Sequence, residues 1–298
     1  MTMLCATLED HCCENWRMRR ARPLLGTLVE IAAEGLPDSS LDRAVDAAFS
    51  AVELVHKLMS FHDPDSDLSR LNRHAAIEPV EVHPWTAGVI RRALALFHAT
   101  DGLFDCAIGA ELMRWELLPD HGLAAARSGK LSAVRLVSKN SIVFDAPVAI
   151  DLGGIAKGFA VDRAVAVLRR HGVPTAVVNA GGDLRGFGQT AYPIHIRDPL
   201  DRSVLRPAGS LRNGAIATSS AAETLRVVRN RKVSALVSAT TREPLIDCNA
   251  YSVIAATCVV ADALTKVLAQ VKRTDAPCFA RLGATGLITT PAGANLGP

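Results

Sequence analysis

Apolar and polar residues alternate from Gly26 to Glu34 (GTLVEIAAE), which predicts a strand with one buried face. After the turn GLPDSS the period lengthens. Leu41, Val45, Ala48, Val52 and Val55 recur three or four apart and predict an amphipathic helix to Met59, with Ser39 or Ser40 as its cap. A polar loop, FHDPDSDLSRLNRHAA, follows, then a short strand IEPVEV and a helix from Pro84 to about Ala99 closed by TDG. Residues 133–151 predict two strands, AVRLV and SIVFDAPVAID, joined at SKNS. Further strands are expected at TAVVNA, YPIHIRD, GAIATSS, VSALVS and SVIAATCVV, the last running directly into a helix, ADALTKVLAQV. Strands and helices interleave without repeats or a low-complexity linker, so the fold class is α/β or mixed α+β with no clean domain boundary.

Composition adds a few limits. With 49% hydrophobic residues, a chain of 298 has ample apolar surface for one large domain or two intimately packed subdomains. That domain is expected over residues 21–290, behind a tail of residues 1–20 expected to be disordered. The net charge of +3, without a basic block interleaved with aromatics, argues against a nucleic-acid partner. No run of eighteen apolar residues occurs, so no transmembrane segment is expected. Residues 1–20 also lack the apolar core of a secretory signal; the chain as written reads as cytoplasmic, and as periplasmic only if its N-terminus is incomplete. Of the seven cysteines, Cys106, Cys248, Cys258 and Cys278 lie scattered in apolar surroundings, which favours reduced thiols; Cys5, Cys12 and Cys13 with His11 are the alternative, a metal clip.

The chemistry concentrates at AIDLGGIAKGFAVDRAVAVLRRHG, Ala149 to Gly172. After Asp151, Gly153 and Gly154 permit backbone angles that other residues resist and let a bulky group approach the main chain. A helix beginning near Lys157 has Val161, Ala164, Val165 and Leu168 on one face and Asp162 in its first turn. Amides at its start, with a lysine, suit a phosphate or pyrophosphate; a tight strand-to-helix connection with Lys157 in solvent is the alternative. A second glycine turn, AVVNAGGDLRGFG, places Asp183 at a strand end, either beside the same ligand cleft or in a plain hairpin.

These runs, DLGGIAKGFAVD and NAGGDLR, resemble the ApbE family of FAD:protein FMN transferases, as do GTLVEI, MSFHDPDSDLSRLN, DGLFDCAIG, AIATSS and VVADALTKVL in the same order. The resemblance implies an ApbE-like fold of two subdomains with mixed sheets flanked by helices. It also implies an enzyme that cleaves FAD with a magnesium ion's help and attaches FMN to a Ser or Thr hydroxyl of a target protein, releasing AMP. Carried over by position, Phe104, Asp105 and His62 would line the flavin pocket, His62 standing where the family has tyrosine. Gly153, Gly154 and Lys157 would hold the phosphates, and Asp183 and Thr218 other parts of the cofactor. The family's metal ligands, an alanine carbonyl, an aspartate and a threonine four residues later, map to Ala156, Asp262 and Lys266. The third does not match. Either the adjacent Thr265 ligates the ion, or the Lys266 ammonium takes the cation's place and weakens the need for metal.

A larger departure follows Val233. The family's H-x-[IL]-D-P-x-T-G-x-P becomes ALVSATTREPL, with Ala235 in place of a histidine proposed to help activate the acceptor hydroxyl. An alanine cannot remove a proton, so the alternatives are an FAD-binding or assembly protein without transferase activity, or a metal-dependent FAD pyrophosphatase.

Overall fold

The computed structural model describes residues 16–123, 127–201 and 203–291. Strands β1 (Met18–Leu24) and β2 (Thr27–Glu34) form a hairpin leading into α1 (Asp38–Met59). Then come α2 (Asp67–His74), β3 (Val80–Glu81), α3 (Pro84–Ala99), α4 (Gly109–Arg114), β4 (Val134–Leu136) and β5 (Ser141–Phe144). The second half runs α5 (Ala156–Arg170), β6 (Thr175–Ala180), β7 (Asp183–Phe187), β8 (Tyr192–Arg197), β9 (Leu205–Leu211) and β10 (Gly214–Ser220). It ends with β11 (Arg226–Val228), β12 (Arg231–Val233), β13 (Ala250–Ala255), α6 (Cys258–Val271), α7 (Pro277–Arg281) and β14 (Thr285–Thr289).

The main sheet has the order β1-β2-β6-β7-β10-β13-β14. The α+β architecture holds, but every ladder between named strands is antiparallel where mixed sheets were expected. Helices α1, α5 and α6 lie side by side on the sheet, α1 over β1 and β2, α5 over β6 and β7, α6 over β10 and β13. Central strand β6 is buried throughout: Ala176, Val178 and Ala180 join the main core, while Val177 points the other way into a cluster with Leu184, Tyr192 and Leu211. A small sheet, β3-β5-β4, sits beside α2 and α3.

Several expectations change for identifiable reasons. Met18–Arg20, assigned to the tail, belong to β1, because the basic run finds acidic partners once it is extended. Arg20 and Arg22, two apart and so on one face, reach Asp42, Asp46 and Glu53 of α1, while Arg19 meets Glu30. Ser39 and Ser40 lie inside α1, whose cap is Pro37. The expected polar loop contains α2. Ser66 caps it by accepting from the Ser69 amide at 3.0 Å, and the buried Asp67 accepts from His83 N at 2.7 Å and Thr86 Oγ1 at 2.8 Å. VSALVS forms no strand beyond Val233, the last residue of β12: Val233 and Val237 pack against Leu112 and Trp115, leaving one isolated bridge from Val237 to Pro244. The strand expected over SVIAATCVV stops at Ala255 and α6 begins at Cys258. Cys106, Cys258 and Cys278 are buried free thiols and Cys248 is half-buried; the cysteines of the suggested N-terminal clip lie outside the described residues.

Asp162 lies in the second turn of α5 rather than the first, and it serves its neighbour. Its carboxylate accepts from the Cys258 and Val259 amides at 3.0 and 2.9 Å and pairs with Arg185, so it satisfies the N-terminus of α6, where Thr257 gives no side-chain cap. Asp162→Ala is expected to lower stability by about 1–2 kcal/mol, read as a lower denaturant midpoint at unchanged slope.

Candidate functional site

The glycine junction is held from below. Asn72 of α2 clasps Ile150 with two bonds of 2.9 Å, to its carbonyl and from its amide, and the Asp151 amide donates to the Cys106 carbonyl at 2.8 Å. The amides of Ile155 and Ala156 both go to the Leu152 carbonyl. The Gly158 amide donates to Asp262 Oδ2 at 2.9 Å. Much of the helix start is therefore spent inside the protein, and what α5 offers outward is the Lys157 side chain. The second glycine turn is a two-residue hairpin between β6 and β7, with Gly181 (φ 62°) and Gly182 (φ 99°) both left-handed, as a type I′ turn requires.

Two lysines and two aspartates form the centre. Lys157 Nζ pairs with Asp183 Oδ2 and lies 4.0 Å from Asp262 Oδ1. Lys266 Nζ pairs with the same Asp262 Oδ1 and donates to the Asp262 carbonyl at 3.0 Å. Both carboxylates are fully buried, whereas the lysine side chains keep 28% and 19% of their surface exposed. Burial opposes the Asp262 carboxylate, but Lys157 and Lys266, with the Gly158 amide, hold its pKa below the usual carboxylate range. Burial likewise opposes the Lys157 ammonium, and Asp183 and Asp262 overcome it and keep the group charged.

Both lysines line a cleft of about 210 Å3. Phe104, Asp105, Gly153, Gly154, Lys157 and Thr218, six of the residues pointed to by sequence, line it, and Gly181, Ser219 and Lys266 join them. Asp183, Asp262, Ala156 and Thr265 are buried and lie off its lining. The exposed His62 is also off the lining. Asp105 touches the cleft with its carboxylate committed elsewhere, to the amides of Ala107 and Leu131 at 2.8 and 3.1 Å and to Arg242 at 2.6 Å. Thr218 Oγ1 is 2.8 Å from Ser252 Oγ.

Three participants escaped the sequence reading. Arg242 stands at the glycine of the family's T-G pair, keeps a left-handed φ of 57°, and bonds Asp105 and the carbonyls of Ala107 and Gly129. Gln270 ties α6 to both walls: its amide nitrogen donates to the carbonyls of Leu103 and Lys266 at 2.8 and 2.9 Å, and its oxygen accepts from the Ala239 amide at 2.8 Å. The spacing Asp262, Lys266, Gln270 was the available signal, since residues four apart share a helix face. Asp151 is the third. Burial pushes its carboxyl up to about 6, against the Gly153 amide and Lys266. Because the folded pKa lies above the unfolded value, this group favours the fold at low pH and loses that contribution as pH rises through about 6. The stability of the wild type relative to Asp151→Asn is thus expected to fall between about pH 4 and 6, measured as paired melting curves.

A family model described as the ApbE family matches residues 25–287. The chain belongs to the ApbE family. Over 273 residues it is 29% identical to the FAD:protein FMN transferase of Rhodobacter capsulatus, covering 86% of this chain and 52% of that protein, so it spans about half the length of that relative. It is 28% identical to the FAD:protein FMN transferase of Vibrio cholerae, covering 81% of this chain and 78% of that one. The crystal structure of the ApbE protein of Thermotoga maritima superposes with a TM-score of 0.79 at 28% identity, over 91% of this chain and 93% of the other. The flavin transferase ApbE of Vibrio cholerae superposes with a TM-score of 0.74 at 25% identity, over 91% and 92%.

Within this ApbE chain the residues present do not fit a resident divalent ion. Asp262 uses one oxygen on Lys266 and the other on the Gly158 amide. The Thr265 hydroxyl donates to the Asp262 carbonyl at 2.7 Å and meets Ser219 Oγ at 2.8 Å, fully buried. Asp183 Oδ1 is a buried acceptor without a hydrogen-bond partner, but it is one oxygen whose twin holds Lys157. Among the described residues no group of three or more His, Cys, Asp or Glu side chains is placed to hold a metal.

Proposed function

We propose that this chain takes FAD into the cleft and transfers its FMN half to a Ser or Thr hydroxyl of an acceptor protein, with AMP as the other product. The observation that carries the reading is the pair of lysines, Lys157 and Lys266, set on buried carboxylates and lining a cleft walled by Phe104 and the glycine turns. Phosphoryl transfer needs alignment and neutralisation of charge on the phosphate oxygens, which fixed ammonium groups supply. The acceptor oxygen attacks the phosphorus of the FMN half, the bond from that phosphorus to the bridging oxygen breaks, and AMP leaves.

The acceptor proton needs a destination that Ala235, on the cleft wall, cannot offer. The carboxylates lining the cleft are Asp105, Asp151 and Glu223. Asp105 is locked by Arg242. Asp151, with a pKa of about 6, is ionised at neutral pH and has the basicity suited to take the proton.

Incubation with FAD and a threonine-bearing acceptor peptide tests this. Covalent yellow peptide with one AMP released per flavin attached is the expected result. AMP with free FMN would mean hydrolysis, and bound FAD with neither product would mean a carrier; either one refutes transfer.

A further inference from the structure

The proposed reading of the cleft as an FAD site leads to a question about charge, because the residues around Asp262 leave no ligand set for a divalent ion. We infer that Lys266 is a built-in cation for the dinucleotide's pyrophosphate, so that this protein binds FAD without a divalent metal.

The geometry supports this in three ways. First, Lys266 lies one turn after Asp262, and its ammonium rests on two hard oxygens of that residue, a carboxylate and a carbonyl. An ammonium has three donors; with two taken by Asp262, one remains for the cleft that Lys266 lines. Second, the side chain is held in place. A Cβ on Gly154 would come within 3.3 Å of Lys266 Cε, so the glycine provides the groove in which the lysine stem lies. Gln270 fixes the backbone at Lys266 to the Leu103 segment on the opposite wall. Third, the charges balance. Lys157 and Lys266 match Asp183 and Asp262, yet the anionic members are fully buried and the cationic members reach the cleft. Lys157 and Lys266 therefore bring two positive charges to a cleft whose other charged lining groups are Asp151, Glu223 and Asp105, the last held by Arg242, and they do so without any ion to lose to a chelator.

The test is titration of the full chain with FAD, followed by flavin fluorescence, in excess EDTA and in excess magnesium. Wild-type affinity is expected to agree within about twofold between the two conditions. Lys266→Met is expected to weaken FAD by about 10- to 100-fold in both, the loss of a charge-assisted hydrogen bond. Lys266→Thr, which replaces the ammonium with an oxygen ligand, is expected to weaken FAD equally in EDTA and to recover in magnesium. A wild type that binds tightly only with magnesium overturns the inference and leaves the FAD reading intact, as does Lys266→Met binding like wild type. Failure of the wild type to bind FAD in either condition overturns both. The wild-type comparison needs no variant to fold.

Discussion

Lys157→Met is expected to abolish tight FAD binding and to lower stability by about 3–5 kcal/mol, the cost of breaking a buried ion pair by removing one partner. Asp183 is wholly buried, and one of its oxygens already lacks a partner. Without Lys157 its other oxygen has none either, and Asp262 keeps only Lys266 and the Gly158 amide. The two effects separate in a double variant. Lys157→Met with Asp183→Asn removes both charges and should regain much of the lost melting temperature, because the uncompensated carboxylate is gone. FAD binding should stay lost, because the outward charge is still missing. A double variant that recovers binding would show that Lys157 acts only through the fold.

Gly158→Ala is expected to be nearly as damaging, although it adds one methyl group. A Cβ there would run into the Cys258 carbonyl and stand 2.7 Å from its carbon and 2.8 Å from Asp262 Cβ, so α5 and α6 could not keep their spacing. Backbone on one side and a buried aspartate on the other cannot rotate away. Overpacking of this kind costs about 1–3 kcal/mol or more. It also lengthens the bond from the Gly158 amide to Asp262, which as a bond to a charged group contributes about 1.5–3 kcal/mol. Loss of several kcal/mol in chemical denaturation, with FAD affinity falling together with stability, is the expected result. An unchanged denaturation midpoint would mean that the helices are not in such close contact.

The sequence showed elements best where one period ran long enough to repeat. β6, β10 and α3 match their expected bounds, because each has an unbroken apolar pattern closed by a turn or cap. α2 was hidden because its buried face carries Asp67, Ser69 and Asn72 among only two leucines; Asp67 and Asn72 are satisfied by bonds to distant residues that no local pattern reveals, and Ser69 by the Asp63 carbonyl. Met18–Arg20 of β1 were read as tail because they precede the alternating segment, whereas Arg19 pairs with Glu30 of β2 and Arg20 with Asp42 and Asp46 of α1. The segment after Val233 has strand-like residues but no strand to pair with.

The site divides in the same way. Gly153, Gly154 and Lys157 were legible because their motif run fixes both residue type and spacing, and Lys266 because it departs from such a run. Asp105 was legible as a position but not in its role, since its partner Arg242 comes 137 positions later. The function of Asp162 was also out of sight: its spacing places it on α5, but only the tertiary fold shows that it completes α6.

The most direct measurement is the crystal structure of the protein grown with FAD in the presence of chelator. Density for the two phosphorus atoms within hydrogen-bond reach of Lys157 Nζ and Lys266 Nζ, with the isoalloxazine toward Phe104, is the expected result. FAD seated elsewhere on the molecule, or phosphates that leave both lysines on their aspartates without contact, would contradict it.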